Sequence, residues 1–214
     1  YFNGRGLGER LRLMLCIAGV KFEDVLMRER AQMEKLLADG ELLFGQLPLL
    51  KIDGMNLVQS NAATRYVASR SNMYSTDPKD QARIDSLYDA SRDFLMVFLG
   101  VVIKISEEDM KKAAENQAMP KYLPVFEKVL KENGTGYLVG SSVTLADAGL
   151  LEVLLAVEDY FDTAPLKDYP NLTSFLAKMK SLDGVKVYLE KYRKPKNDEK
   201  YKNEVLKVLA WSSF

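Results

Sequence analysis

Gln46-Leu47-Pro48-Leu49-Leu50-Lys51-Ile52-Asp53-Gly54-Met55-Asn56-Leu57-Val58-Gln59-Ser60 is the stretch that decides the fold. Its first apolar run, Leu47 to Ile52, predicts a strand. Asp53-Gly54 is a tight-turn dipeptide, and Met55 to Val58 returns as the second arm of a hairpin. A helix is expected next, from about Asn61 to Ser71, with Ser60 as its N-cap. Upstream, Leu11, Leu13, Met14, Leu15, Ile17 and Ala18 predict a helix over Glu9 to Gly19, ended by that glycine. Lys21 to Met27 reads as a short strand, and Ala31 to Ala38 as a helix stopped at Asp39-Gly40. The chain opens on Tyr1 without an initiator methionine, and a short strand is expected to precede it. Counting that strand, the pattern is an α/β unit of about 80 residues.

Asn72 to Pro78 is polar and turn-rich, and everything after it reads as helix. The expected division is 1–74 for the α/β domain, 75–78 for a linker and 79–214 for an all-helical domain. Helices are expected over about 79–105, 107–132, 144–160, 171–179, 183–190 and 199–211. Thr144-Leu145-Ala146-Asp147 is a capping box heading the apolar run Leu150 to Val157, the expected buried central helix.

Composition removes several chemistries. Lysine plus arginine and aspartate plus glutamate each total 30 among 214 residues, so no basic excess suggests nucleic acid. No apolar run reaches the roughly 18 residues that span a bilayer. There is no histidine, which excludes Ser-His-Asp and Cys-His catalysis and histidine-ligated zinc. The single cysteine, Cys16, excludes an internal disulfide, reads as a buried small hydrophobe, and fits the cytosol. No metal is expected. The cluster Lys191, Arg193, Lys194 and Lys196, flanked by acids, is expected to be a solvated surface.

Tyr1, Arg5, Gln46-Leu47-Pro48 and Gln59-Ser60 are the residues with chemical potential. Pro48 opens an otherwise central-looking strand, a place tolerated only at a strand start, edge or bulge. A cis bond before it turns the Leu47 backbone outward, where an extended peptide-like ligand can pair with it. Exposed amides at Ser60 suit a carboxylate. Those features describe a pocket for a small acidic peptide, and a strand-edge proline with an ordinary helix cap accounts for the same spacing.

Tyr1-Phe2-Asn3-Gly4-Arg5-Gly6, Gln46-Leu47-Pro48, Lys51-Ile52-Asp53-Gly54-Met55, Leu57-Val58-Gln59-Ser60 and Tyr66-Val67-Ala68-Ser69 resemble the cytosolic glutathione transferases. Pro124 to Leu130, Tyr137-Leu138-Val139-Gly140 and Leu145-Ala146-Asp147 continue the match through the helical half. The resemblance is greatest to the alpha class, with the sigma class next. It implies a thioredoxin-like N-terminal domain, an all-α C-terminal domain and a cytoplasmic homodimer. The implied activity conjugates glutathione, as co-substrate, to hydrophobic electrophiles in detoxification, with peroxidase or isomerase side activity.

The resemblance also implies roles for residues. Tyr1 matches the catalytic tyrosine whose phenol donates to the glutathione sulfur. Leu47, before a cis-Pro48, matches the backbone partner of the cysteinyl unit, while Gln46, Gln59 and Ser60 match holders of the γ-glutamyl end. Asp93 matches the acid that crosses the dimer interface, and Lys121 stands where the alpha class has an arginine doing likewise. Arg5 matches an arginine near the ligand, and Arg12 a structural one. Phe2, Gly4, Leu7, Leu99, Ile103, Val205, Leu209, Trp211 and Phe214 are expected to form the electrophile pocket. Phe44 matches the apolar key of the dimer, received near Phe126 and Val129.

Two departures stand out: Leu7 and Leu37 replace alpha-class arginines that serve the sulfur and glutathione, with Lys35 a neighbour able to compensate. They keep alive a rival reading, a non-catalytic hydrophobic-ligand binder or lens-type structural relative. A sigma-class-like prostaglandin isomerase is a third.

Overall fold

The computed structural model describes residues 1–99, 105–196 and 199–209. Glu9–Ile17 forms α1, followed by Gly19 at φ 67°, the left-handed position where a glycine ends a helix without strain. Arg30–Ala38 forms α2, capped reciprocally by Glu29 and Gln32. β1, Leu50–Ile52, pairs antiparallel with β2, Met55–Leu57, with Leu50 opposite Leu57. Asp53 and Gly54 both take positive φ, 51° and 75°, as a primed two-residue turn requires. Ser60–Arg70 forms α3.

The expected strand over Lys21 to Met27 does not form. Among the described residues the sheet is the β1–β2 hairpin. The 20–27 segment makes one parallel-type exchange instead: the Tyr1 nitrogen donates to Val25 O at 3.0 Å, and Met27 N–H donates to Tyr1 O at 2.8 Å. A strand requires a ladder of neighbours, and one paired residue does not supply it. Nor is Ser60 the cap of α3. Gln59 takes that place at φ 68°, so Ser60 becomes the first helical residue.

Asp77 accepts from the N–H groups of Lys79 and Asp80 at the start of α4, Pro78–Leu99. The helix expected over 107–132 is broken. Glu107–Ala113 forms α5, Ala114–Ala118 widens into a π turn, and Met119–Asn133 forms α6. α7 is Leu145–Phe161, α8 is Pro170–Ser181 and α9 is Asp183–Val187, which runs into a second π turn over Tyr188–Tyr192. Glu199–Leu209 forms α10. Among the described residues, no helix is long and apolar enough to cross a membrane.

The larger core centres on α7, which is buried nearly all round and packs chiefly on α4. Gly149 sets that approach, because a Cβ there would lie 2.7 Å from the Tyr88 ring. Asp147 anchors the start of α7: one oxygen accepts from Leu138 N–H, the other from Thr144 N–H and hydroxyl, all at 2.8 Å. Burial pushes its carboxyl up to about 6 against those bonds. Cys16 sits in this core as expected, its thiol pushed up to about 12 by burial and then by Glu9.

A smaller core lies between the N-terminal half and α10. Phe2, Met27, Met33, Leu42 and Val58 receive Tyr201, Val205 and Val208, an i, i+4, i+7 stripe. Burying each valine contributes roughly 1.5–3 kcal/mol, which seats α10 on the N-terminal half.

The basic cluster is a solvated surface only in part: Lys191 and Lys196 are exposed, whereas Arg193 and Lys194 are drawn into the fold. The Lys194 ammonium pairs with Asp24 at 2.6 Å, its N–H donates to Glu9, and its carbonyl accepts from Arg5. Arg193 pairs with Asp159 at 2.6 Å and donates to Leu155 O. The acceptors lie on remote segments, so the nearby acids in sequence do not govern these charges.

Candidate active site

A cavity of about 470 Å³ opens between the N-terminal half, the end of α4 and the inner face of α10. Tyr1, Gln46, Leu47, Pro48, Gln59 and Ser60, separated by up to 59 positions, all line it. Folding therefore gathers these six onto one cavity.

Each is held by local structure. The Leu47–Pro48 peptide is cis, immediately before β1. The Gln59 amide donates to the Gln46 side-chain oxygen at 3.1 Å, so the two glutamines brace one rim. Gln59 holds a left-handed φ of 68°, which a side chain adopts at a cost and which recurs at functional sites. Ser60, buried, opens α3, whose first-turn N–H groups carry partial positive charge. A carboxylate suits that end of the cavity.

Tyr1 sits at the inner end. Its ring lies against Gly8, and the Arg12 guanidinium stands 5.7 Å from the ring centroid. Arg12 is buried and spent on structure: it donates to Phe2 O at 2.9 Å and Gly4 O at 3.1 Å, and pairs with Glu9 and Asp24 at 3.0 Å. Burial pushes the Tyr1 phenol above its ordinary value, opposed by hydrogen bonds from Tyr201 and Leu7, the charge of Arg12 and the Gly8 N–H. The phenol is therefore protonated at neutral pH and available as a donor.

Phe2, Leu7, Leu99, Val205 and Leu209 make the apolar wall, joined by Leu37. Gly4 stands behind that wall, beneath the Tyr201 ring. Ile103, Trp211 and Phe214 lie outside the described residues. Arg5 turns away, pairing with Asp159 on α7. Lys35 does not fill in for Leu37. It pairs with Asp39 at 2.6 Å and lines an adjoining cavity of about 670 Å³, between the 20–25 segment and β1, which shares Tyr1, Leu47 and Pro48 with the first.

Asp93 on α4 and Lys121 on α6 are exposed and line no part of the site in the single chain. Asp93 lies near enough to help raise the Lys121 ammonium, after Tyr122. Phe44 is 62% exposed and adjoins Leu43 at 76%. Phe126 belongs to the chain's own core, with Val129 packed partly against it.

Sequence reasoning missed Tyr201, Arg30, Met33 and Met96, all on the cavity wall. Arg30 donates to Val208 O at 3.1 Å, tying α2 to α10. The amphipathic stripe of α10 puts Tyr201 on the buried face with Val205 and Val208, and nothing in the sequence says which site that face meets.

The chemistry of this cavity suits a small acidic peptide. Residues 1–69 match the family model of the glutathione S-transferase N-terminal domain, and residues 92–192 that of its C-terminal domain. The chain is 41% identical to glutathione S-transferase alpha-4 of Rattus norvegicus, over 99% of this chain and 96% of the rat protein. It is 42% identical to glutathione S-transferase 3 of Gallus gallus, over 98% and 93% of the two chains. The crystal structure of the glutathione S-transferase from Ascaris lumbricoides superposes with a TM-score of 0.77 and 33% identity, covering 91% of this chain and 96% of that one. Family models, full-length relatives and the shared architecture agree: the chain belongs to the glutathione S-transferase family.

Proposed function

We propose that the chain conjugates the glutathione sulfur to hydrophobic electrophiles, with Tyr1 as the catalytic residue. The observation that carries this is the shared cavity: the protonated Tyr1 phenol at its inner end, the Gln46–Ser60 rim on one side and an apolar wall on the other. Leu47 offers backbone pairing to the cysteinyl unit beside Pro48, while Gln46, Gln59 and Ser60 hold the γ-glutamyl end. The thiol releases its proton to solvent. Tyr1 donates to the resulting thiolate, which favours the charged form and lowers the thiol's pKa. The sulfur then forms its bond to the electrophilic carbon, and the leaving group takes the bonding pair.

Leu7 supplies no charge where the alpha class has an arginine, so the phenol carries that share of the stabilisation. Phe2, Leu7, Leu99 and Leu209 receive the electrophile, joined in this proposal by Ile103, Trp211 and Phe214; Gly4 supports them from behind, and Arg5 serves from outside the cavity. Relatives named as transferases favour this function over a binding or lens-type role.

We place the domain division at 1–74, 75–78 and 79–214, supported by the separate family matches on either side of it. A cytoplasmic homodimer completes the proposal. The exposed Phe44 supports it as the key, with Asp93 of the partner subunit reaching the γ-glutamyl amine and Lys121 of the partner subunit the glycine carboxylate.

Initial-rate kinetics with glutathione and an aromatic halide test this reading. Saturable turnover is expected, and Ser60→Ala should raise the KM for glutathione about tenfold with a smaller change in kcat. Glutathione binding without turnover would refute it.

A further inference from the structure

Tyr201, on α10, has a role beyond filling the smaller core. Its ring stands edge-on to Phe2, with centroids 6.4 Å apart, and rests over Gly4, where no Cβ obstructs it. It is 5% exposed. Its hydroxyl meets that of Tyr1 above Gly6. A Cβ built on Gly6 would lie 2.6 Å from the Tyr1 oxygen and 3.2 Å from the Tyr201 oxygen. The two phenols share a side-chain hydrogen bond, and the N–H groups of Leu7 and Gly8 also face the Tyr1 oxygen.

A phenol has one proton to give and lone pairs to receive. If Tyr1 gave its proton to Tyr201, none would remain for a sulfur. With Tyr201 as donor, the Tyr1 oxygen is surrounded by donors and its own proton points elsewhere. Burial first, and then Tyr1 itself, raise the Tyr201 phenol well above its ordinary value, so Tyr201 keeps its proton and has it to donate to the Tyr1 oxygen. Hydrogen bonds in a chain polarise one another, and engaging an oxygen's lone pair strengthens the bond its own O–H makes.

We propose that Tyr201 is a positioning residue for the transfer: its hydroxyl donates to the Tyr1 oxygen and strengthens the hydrogen bond that Tyr1 makes to the glutathione sulfur. Because Tyr201 arrives on α10, seating that helix readies Tyr1 for the thiol. Arg30, tying α2 to Val208 O, helps hold the helix in that seat. The inference rests on Tyr1 as the thiol's activator.

The test is the apparent pKa of enzyme-bound glutathione, read from thiolate ultraviolet absorbance across pH, in wild type, Tyr201→Phe, Tyr1→Phe and the double variant. Phenylalanine keeps the ring that packs on Phe2 and Gly4 and deletes only the hydroxyl. Tyr201→Phe should raise the thiol pKa by about half to one unit and lower kcat near neutrality about three- to tenfold, with KM for glutathione little changed. In the Tyr1→Phe background the same substitution should change nothing. An unchanged pKa in folded Tyr201→Phe, confirmed by its melting curve, would overturn the proposal. So would a Tyr201→Phe effect that persists without the Tyr1 hydroxyl, since Tyr201 would then act on substrate directly. If Tyr1→Phe itself leaves the thiol pKa unmoved, the underlying role of Tyr1 fails first, and this proposal with it.

Discussion

Lys194 and Asp24, 170 positions apart in sequence, close an ion pair at 2.6 Å with each side chain 15% exposed. Asp24 also accepts from Arg12 at 3.0 Å, so one carboxylate ties the segment before α2 to α1 and to the chain beyond the last π turn. Burial opposes its ionisation, yet Lys194 and Arg12 overcome that and hold the carboxyl below its ordinary 3.8. A carboxyl lowered by folding stabilises the protein above the unfolded value, and that contribution is lost as pH falls through the folded one. Asp24→Asn should therefore cost about 1–3 kcal/mol at neutral pH. The gap from wild type should narrow below about pH 4. Denaturant melts at pH 7 and pH 3 check this, and a gap that does not narrow would show that the charge is not the cause.

Asp147 serves two N–H groups and a hydroxyl at the head of the most buried helix. Asp147→Ala strands the Leu138 and Thr144 amides without acceptors, at a cost of about 2–4 kcal/mol. Thr144→Ala loses only a hydroxyl and should cost about 1 kcal/mol. Chemical denaturation of both variants should return that order.

Gly6 is the floor under two hydroxyls, and it holds φ 145°, which a side chain rarely adopts. Gly6→Ala would push the Tyr1 hydroxyl off its position. We expect kcat/KM to drop about ten- to a hundredfold, since small displacements of a reacting group cost that much. The far-UV circular dichroism should remain that of the wild type. Full activity in the variant would place the Tyr1 hydroxyl somewhere other than above Gly6.

Much of this architecture is readable in the order of the amino acids. Asp53-Gly54 favours positive φ twice, and a tight hairpin is what that pair builds. Thr144 and Asp147 announce the start of α7, and Gly19 the end of α1. The departures share a cause. Strand character at 21–27 depends on neighbours that local alternation does not reveal, and a π turn at 114–118 adds a residue that a 3.6 period cannot register. Lys194 and Arg193 read as solvated because acids flank them in sequence, while Asp24 and Asp159 are brought to them only by folding. Within the site, Gln46, Leu47, Pro48, Gln59 and Ser60 are legible from spacing plus family likeness. Tyr201 is not, since nothing local shows that its stripe faces Tyr1.

Phe44 and Leu43 expose more apolar surface than any isolated loop benefits from. If Phe44 is the dimer key, Phe44→Glu should shift sedimentation from dimer toward monomer at micromolar concentration. Glutathione affinity should fall with it, as Asp93 and Lys121 of the partner subunit are withdrawn. A Phe44→Glu protein that sediments as the wild type does would remove the key from that loop.

The measurement that tests the central claim most directly is the pH dependence of conjugation to an aromatic halide, wild type beside Tyr1→Phe. The wild type should show a glutathione thiol pKa below the free thiol's usual ~8.5–9, and Tyr1→Phe should raise it by one unit or more, about 1.4 kcal/mol per unit. Turnover at neutral pH should fall at least tenfold. Superimposable pH profiles for the two proteins would contradict the assignment of Tyr1 and require another donor to the sulfur.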